Sequence, residues 1–133
     1  MDDLLDKKEY PDASIDREYD YNLLLHVDSE DPKILDMALA NAHNFIEALP
    51  DITIRVVMVI TGPTVKLLTE PNSDLARKMG KLLQKGMGVL ICRNALKGYQ
   101  VDESSLWPNL EVVDDGIVEI VRLQDEGMAY VKP

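Results

Sequence analysis

The sequence predicts one α/β domain, a parallel sheet of five strands covered by helices on both faces. Three observations carry that prediction. The chain has 133 residues, the size of a single domain. Its strand-like runs are continuously apolar rather than alternating, as strands buried on both faces are. Those runs alternate with segments of three- and four-residue apolar spacing, the order of a parallel sheet joined by right-handed crossovers.

Residues 1–18 (MDDLLDKKEYPDASIDRE) show no sustained period. They read as a mobile acidic arm, either disordered or docked on a neighbouring subunit, ahead of a domain over 19–133. Tyr19–Val27 is the first strand, with the unbroken centre Leu23-Leu24-Leu25. Asp28-Ser29-Glu30-Asp31 marks a turn, and Pro32 suits a first helical position, where its missing N–H costs nothing. Ile34, Leu35, Ala38, Leu39, Ala42, Phe45, Ile46 and Leu49 then form one buried stripe, closed by Pro50. Ile52–Ile60 (ITIRVVMVI) is β-branched and nearly all apolar, the clearest strand of the chain. Thr61-Gly62-Pro63 breaks it, and Val65–Leu68 is too short to type. Asn72 or Ser73 caps a helix reaching Lys85, with Leu75, Met79, Leu82 and Leu83 inside and Gly86 and Gly88 at its end. Val89–Cys92 is a third strand. Residues 93–108 form a loop with room for one or two helical turns, one of them starting near Asp102–Ser105. Leu110–Val113 is a fourth strand. Asp114 or Asp115 precedes a helix to Glu126, with Ile117, Ile120, Val121 and Gln124 in register. Gly127 stops it, and Met128–Val131 is the last strand.

The net charge of −10 comes from 24 acidic and 14 basic residues. An acidic chain is repelled by phosphate backbones and anionic lipids, and no Lys or Arg run makes a local exception. Neither nucleic acid nor a membrane is therefore expected as a partner. Half the net charge lies in residues 1–20, which hold eight acids and three bases. The opening Met1-Asp2-Asp3 is acidic where a secretory leader is basic, and no apolar run approaches the ~18 residues of a membrane span. A cytoplasmic location is the expectation. One cysteine forms no internal disulfide, and with His26 and His43 it makes no zinc set without carboxylates, so no metal is expected. Neither GxGxxG nor GxxxxGK[ST] occurs, so no nucleotide cofactor is expected.

Open α/β sheets bind ligands outside the carboxyl ends of their strands. Four segments converge there: Val27-Asp28-Ser29, Ile60-Thr61-Gly62-Pro63, Cys92-Arg93-Asn94 and Val113-Asp114-Asp115. Cys92 is the leading candidate. A helical turn starting at Asn94, together with the Arg93 guanidinium, would favour its thiolate, which attacks sulfur and carbon electrophiles. The competing reading is a buried, inert cysteine, since free Cys is among the most buried residue types. Asp28, Thr61, Gly62 and Pro63 are candidates for the pocket wall. Gly62-Pro63 reads as an anion nest or as a tight turn; Asp28 orients a neighbour or only shapes a turn. His26 reads as a packed histidine and His43 as a surface one. Trp107 covers the long loop as a lid or meets another subunit.

Three pieces around these residues carry a resemblance: GVLICRNALKGY (Gly88–Tyr99), PNLEVVDDGIVEIVRLQDEGMAYVKP (Pro108–Pro133) and VVMVITGPTVKLL (Val56–Leu68). In combination they resemble the DsrE/DsrF-like family, small proteins of intracellular sulfur relay. The resemblance implies a three-layer α/β/α sandwich around a five-stranded parallel sheet, and homo-oligomers, commonly trimers or hexamers. It also implies that Cys92 carries sulfur as a persulfide between a donor enzyme and an acceptor protein. Many relatives have a histidine where Thr61 stands, so no histidine base is implied at that place. The resulting expectation is a sulfur carrier or sulfurtransferase-like protein, acting through Cys92 with Arg93 and Asn94 and needing no cofactor. With no second cysteine, the sulfur ends on a partner protein or a small thiol. Two other readings are a regulatory or scaffold oligomer that binds a small anion or metabolite, and a flavin or nucleotide binder on a flavodoxin-like sheet, which here lacks a phosphate loop. Exposure separates the first two: a sulfur at a pocket mouth favours sulfur chemistry, and one buried among Val and Leu favours the scaffold.

Overall fold

The structure is a computed structural model and describes residues 20–133. The acidic arm expected over residues 1–18 lies outside the described residues. Five strands form the sheet: β1 (Tyr21–Val27), β2 (Ile54–Ile60), β3 (Gly88–Cys92), β4 (Glu111–Val113) and β5 (Ala129–Val131). Four α-helices connect or flank them: α1 (Pro32–Ala48), α2 (Asp74–Gln84), α3 (Arg93–Gly98) and α4 (Gly116–Asp125). The strands pair in the order β4-β3-β2-β1-β5, all parallel.

That order fixes the layers. The chain moves from β1 to β4 in one direction across the sheet and then returns past β1 to place β5. Right-handed crossovers in opposite directions put their helices on opposite faces. Side chains follow by strand parity. Leu23, Leu25, Val27, Val56, Met58, Ile60, Val89 and Ile91 pack with Leu35, Leu39, Met79, Leu82 and Leu96 of α1, α2 and α3. Leu24, Val57, Val59 and Leu90 pack with Ile120 and Leu123 of α4. The expected three-layer α/β/α sandwich is the fold of the chain.

The starts of α1, α2 and α4 are set by side-chain caps, each taking up a backbone N–H that the first turn leaves without a partner. Asp31 Oδ1 accepts from the Lys33 N–H at 3.0 Å and Pro32 follows it. Of the two candidates before α2, Ser73 is the cap, its Oγ accepting from the Ala76 N–H at 3.1 Å. Of the two before α4, Asp115 is the cap, its Oδ2 accepting from the Val118 N–H at 3.2 Å.

Several local expectations are corrected. The strand expected from Ile52 begins at Ile54, because Ile52 is held in a turn by its N–H bond to the Leu49 carbonyl at 3.3 Å. The untyped Val65–Leu68 piece belongs to a 3-10 helix over Gly62–Leu67. The loop after Cys92 opens directly into α3, with a second 3-10 turn at Glu103–Ser105. Trp107 is neither a lid nor a free contact: it is 5% exposed, in the α1/α2-side core, and its indole N–H donates to the Glu70 carbonyl at 2.9 Å.

Candidate functional site

At the carboxyl edge of the sheet, β3 and β4 are neighbours whose following helices diverge. From Cys92 the chain turns into α3, whose Ala95 and Leu96 join the α1/α2-side core. From Val113 it turns into α4, which covers the other face. The crevice between two such strands is the topological switch point of the sheet, where α/β proteins place ligands. Cys92 ends β3 at that point and is buried, as part of the α1/α2-side core.

The atoms around the sulfur come from both diverging helices. Cys92 Sγ lies 3.8 Å from Asp115 Oδ1. The Asn94 amide donates to that same oxygen at 3.3 Å, while the other oxygen caps α4. Asp115 thus gathers donors from β3, α3 and α4 at one carboxylate. Gly116, the next residue, lets α4 come down on the sheet. A Cβ there would stand 2.5 Å from Thr61 Cγ2 and 3.1 Å from Cys92 Cβ, so the position has room only for hydrogen. Cys92 itself is 5% exposed. Its thiol can donate to the carboxylate.

Arg93 stands beside Cys92 in sequence but directs its guanidinium elsewhere. Its Nε donates to Glu103 at 2.8 Å and its Nη1 to Asp114 at 2.5 Å. Glu103 first, and then Asp114, hold the guanidinium above its ordinary pKa. The residue ties the 93–108 loop to the turn before α4 rather than pointing a free positive charge at the sulfur.

The other expected pocket residues divide into two groups. Thr61 borders Cys92 through Gly116, and its hydroxyl pairs with His26 Nε2 at 2.9 Å. His26 Nδ1 meets the Tyr130 hydroxyl at 2.6 Å, so this buried histidine bridges β1, the end of β2 and β5. Burial pushes its pKa below the ordinary value, with Asp28 acting against that shift and Lys132 adding to it. Asp28 lies two strands from Cys92, or ~10 Å across the sheet. Its carboxylate pairs with Lys132 at 2.7 Å, and the Lys132 hydrogen bond lowers its pKa. Gly62 has φ of 60°, a left-handed conformation suited to glycine, and Pro63 then opens the 3-10 helix. The pair forms a tight turn against the Asp28 carbonyl.

Asp115, Gly116, Tyr130 and Lys132 are site-edge residues that sequence reasoning left without a role. Asp115 stands in the fourth converging segment and directly before a predicted helix, which is its one available signal. Nothing local distinguishes Gly116 from a turn glycine, and Tyr130 and Lys132 reach His26 and Asp28 only through the return of β5. His43 is exposed in a cleft between α1 and α2. That cleft and another beside Trp107 contain none of the site residues. Among the described residues no group of three or more His, Cys, Asp or Glu is placed to hold a metal, and no helix is long and apolar enough to cross a membrane.

Known structures share this architecture. The structure titled as the protein of unknown function MTH1491 from Methanobacterium thermoautotrophicum matches with a TM-score of 0.77 and 28% identity, over 86% of this chain and 100% of its own. The conserved protein of unknown function BT1422 from Bacteroides thetaiotaomicron matches with a TM-score of 0.67 and 17% identity, over 84% of this chain and 94% of its own, a likeness of fold. No functionally curated protein matches the chain. The family model described as DsrE/DsrF-like matches residues 24–133, all five strands and the Cys92 crevice included. The chain belongs to the DsrE/DsrF-like family.

Proposed function

We propose that the protein is a cytoplasmic sulfur carrier of the sulfurtransferase type, with Cys92 as the sulfur-bearing residue. The observation that supports this reading is the position of Cys92 at the switch point, with the Asp115 carboxylate facing its sulfur and the Asn94 amide bonded to that carboxylate. The Cys92 thiolate attacks the outer sulfur of a donor persulfide. A new S–S bond forms, the donor's S–S bond breaks, and the donor thiolate leaves. An acceptor thiolate then takes the outer sulfur from the Cys92 persulfide and regenerates the Cys92 thiolate. Both steps conserve atoms and electrons and need no cofactor. The Asp115 carboxylate holds the resting thiol as a hydrogen-bond donor and Asn94 fixes that carboxylate. Arg93 acts at one remove, by holding Asp114 and Glu103 around the crevice. Donor and acceptor are proteins or a small thiol, and the carrier works as a homo-oligomer, a trimer or hexamer.

A second reading is favoured by one observation, the 5% exposure of Cys92. A sulfur this covered suits a regulatory or scaffold oligomer that binds a small anion or metabolite. Intact-mass analysis after incubation with glutathione persulfide separates the two. The carrier gains one sulfur atom and Cys92→Ser gains none. Asp115→Asn keeps a good N-cap and removes the charge facing the sulfur, so it should load faster. Should the folded wild type stay unmodified while the urea-unfolded chain is modified, the thiol is inert in place and the scaffold reading stands.

A further inference from the structure

Basic residues are sparse in this acidic chain, yet four of its 14 fall within nine positions: Arg77, Lys78, Lys81 and Lys85. Lys78, Lys81 and Lys85 recur at three- and four-residue spacing, so they share one face of α2 and its end. That face borders a cleft of about 320 Å³ between α1 and α2, with Leu39 and Leu82 buried in its floor and His43 and Asn44 on the opposite rim. The result is an apolar slot edged by three lysines, of which Lys78 pairs across it with Asp36 at 2.6 Å and Lys85 with Glu47 at 3.2 Å, both acids belonging to α1.

We propose that the slot is the seat of the chain's own N-terminal segment. Residues 1–19 carry seven acidic and three basic residues, and their apolar pair Leu4-Leu5 is flanked by Asp2, Asp3 and Asp6. Apolar side chains suit the floor, and the acids on either side suit Lys81 and compete with Asp36 and Glu47 for the exposed Lys78 and Lys85. The segment also leaves the domain at the right place. The Asp20 N–H bonds the Thr53 carbonyl at 2.8 Å, and the Tyr21 ring packs edge-on against Phe45 of α1. Two residues further along α1, Glu47 pairs with Lys85 at the near end of the cleft. Reach is ample: the stretch from Leu5 to Asp20 extends to ~50 Å, against ~16 Å for the whole of α2. The seat is held partly by exposed charge pairs, so it is weak and salt-sensitive.

Zero-length carbodiimide cross-linking of the full chain tests this, using a mixture of unlabelled and 15N-labelled protein. The expected result is linkage of Asp or Glu within residues 2–18 to Lys78, Lys81 or Lys85 of the same chain. Those links should be lost at about 1 M salt, where charges are screened within ~3 Å. A Leu4→Ser/Leu5→Ser variant keeps every charge and should lose most of them. Links found only between light and heavy copies would overturn the proposal in favour of a neighbour's arm. Links spread over Lys33, Lys66, Lys97 and Lys132, no links at all, or links unaffected by the leucine change would overturn it in favour of an undocked arm.

Discussion

Gly116 sets how closely α4 can approach the sulfur. Any side chain there must displace Thr61 Cγ2 or the first turn of α4, since the new carbon would stand 2.5 Å from the threonine methyl and 3.1 Å from Cys92 Cβ. Overpacking of this kind costs about 1–3 kcal/mol. Gly116→Ala should therefore lower the urea midpoint and, by lifting the helix start, speed iodoacetamide modification of Cys92. Gly80 is the control. It lies within α2 with nothing inside 4 Å of its would-be Cβ, so Gly80→Ala should stabilise by about 0.5–1 kcal/mol. Equal midpoints for Gly116→Ala and wild type would show that α4 is not seated on the sheet as described.

At the scale of elements, the sequence reading recovered what depends on local pattern. The Leu23-Leu24-Leu25 and Val56–Ile60 runs are apolar because both faces of each strand are covered, and that alone marks them. The sequence narrows the α2 cap to Asn72 or Ser73 and the start of α4 to Asp114 or Asp115, and tertiary geometry chooses Ser73 and Asp115. What depends on a distant partner was not legible: the indole bond from Trp107 to Glu70, the Asp28–Lys132 pair, and the diversion of Arg93 to Glu103 and Asp114. The same limit applies to β5, three exposed residues whose link to the sheet includes the His26–Tyr130 bond. His26 yields a pH prediction. Its folded pKa lies below the ordinary 6.5, so the unfolded chain binds the proton more readily. The stability this group contributes is complete above that ordinary value and is lost as pH falls through the interval below it. His43, the other histidine, is exposed. Urea unfolding at about pH 7.5 and about pH 5.5 should show wild type losing more stability on acidification than His26→Gln. Equal losses would mean that His26 protonates in place without cost.

For the whole molecule, the asymmetry of the layers matters most. Among the described residues, one face of the sheet carries α1, α2 and α3, and the other carries α4 alone. That single helix is apolar on two sides. Gly116, Ile120 and Leu123 are buried inward, while Ile117, Val118 and Val121 are 53%, 59% and 55% exposed. Ile117 and Val118 each lie one turn from Val121, so the three form one outward stripe. A helix apolar on both sides belongs inside a larger assembly, and an exposed apolar patch of this kind marks a contact surface. The sequence offers Trp107 as a residue for such contact. Trp107 and Met128 instead complete the cores of their own chain, leaving Tyr99, Tyr130 and Val131 exposed. The proposed homo-oligomer should therefore assemble through α4, which also starts at the Cys92 crevice, so that subunits meet beside the sulfur. Light scattering at micromolar concentration should give a multiple of 15.0 kDa. Val118→Glu combined with Val121→Lys places opposite charges one turn apart on an exposed helix face and removes no buried group, so each chain should stay folded by circular dichroism while the assembly falls to one subunit. A wild-type mass of 15.0 kDa would sink the oligomer, and an unchanged mass in the double variant would move the interface away from α4.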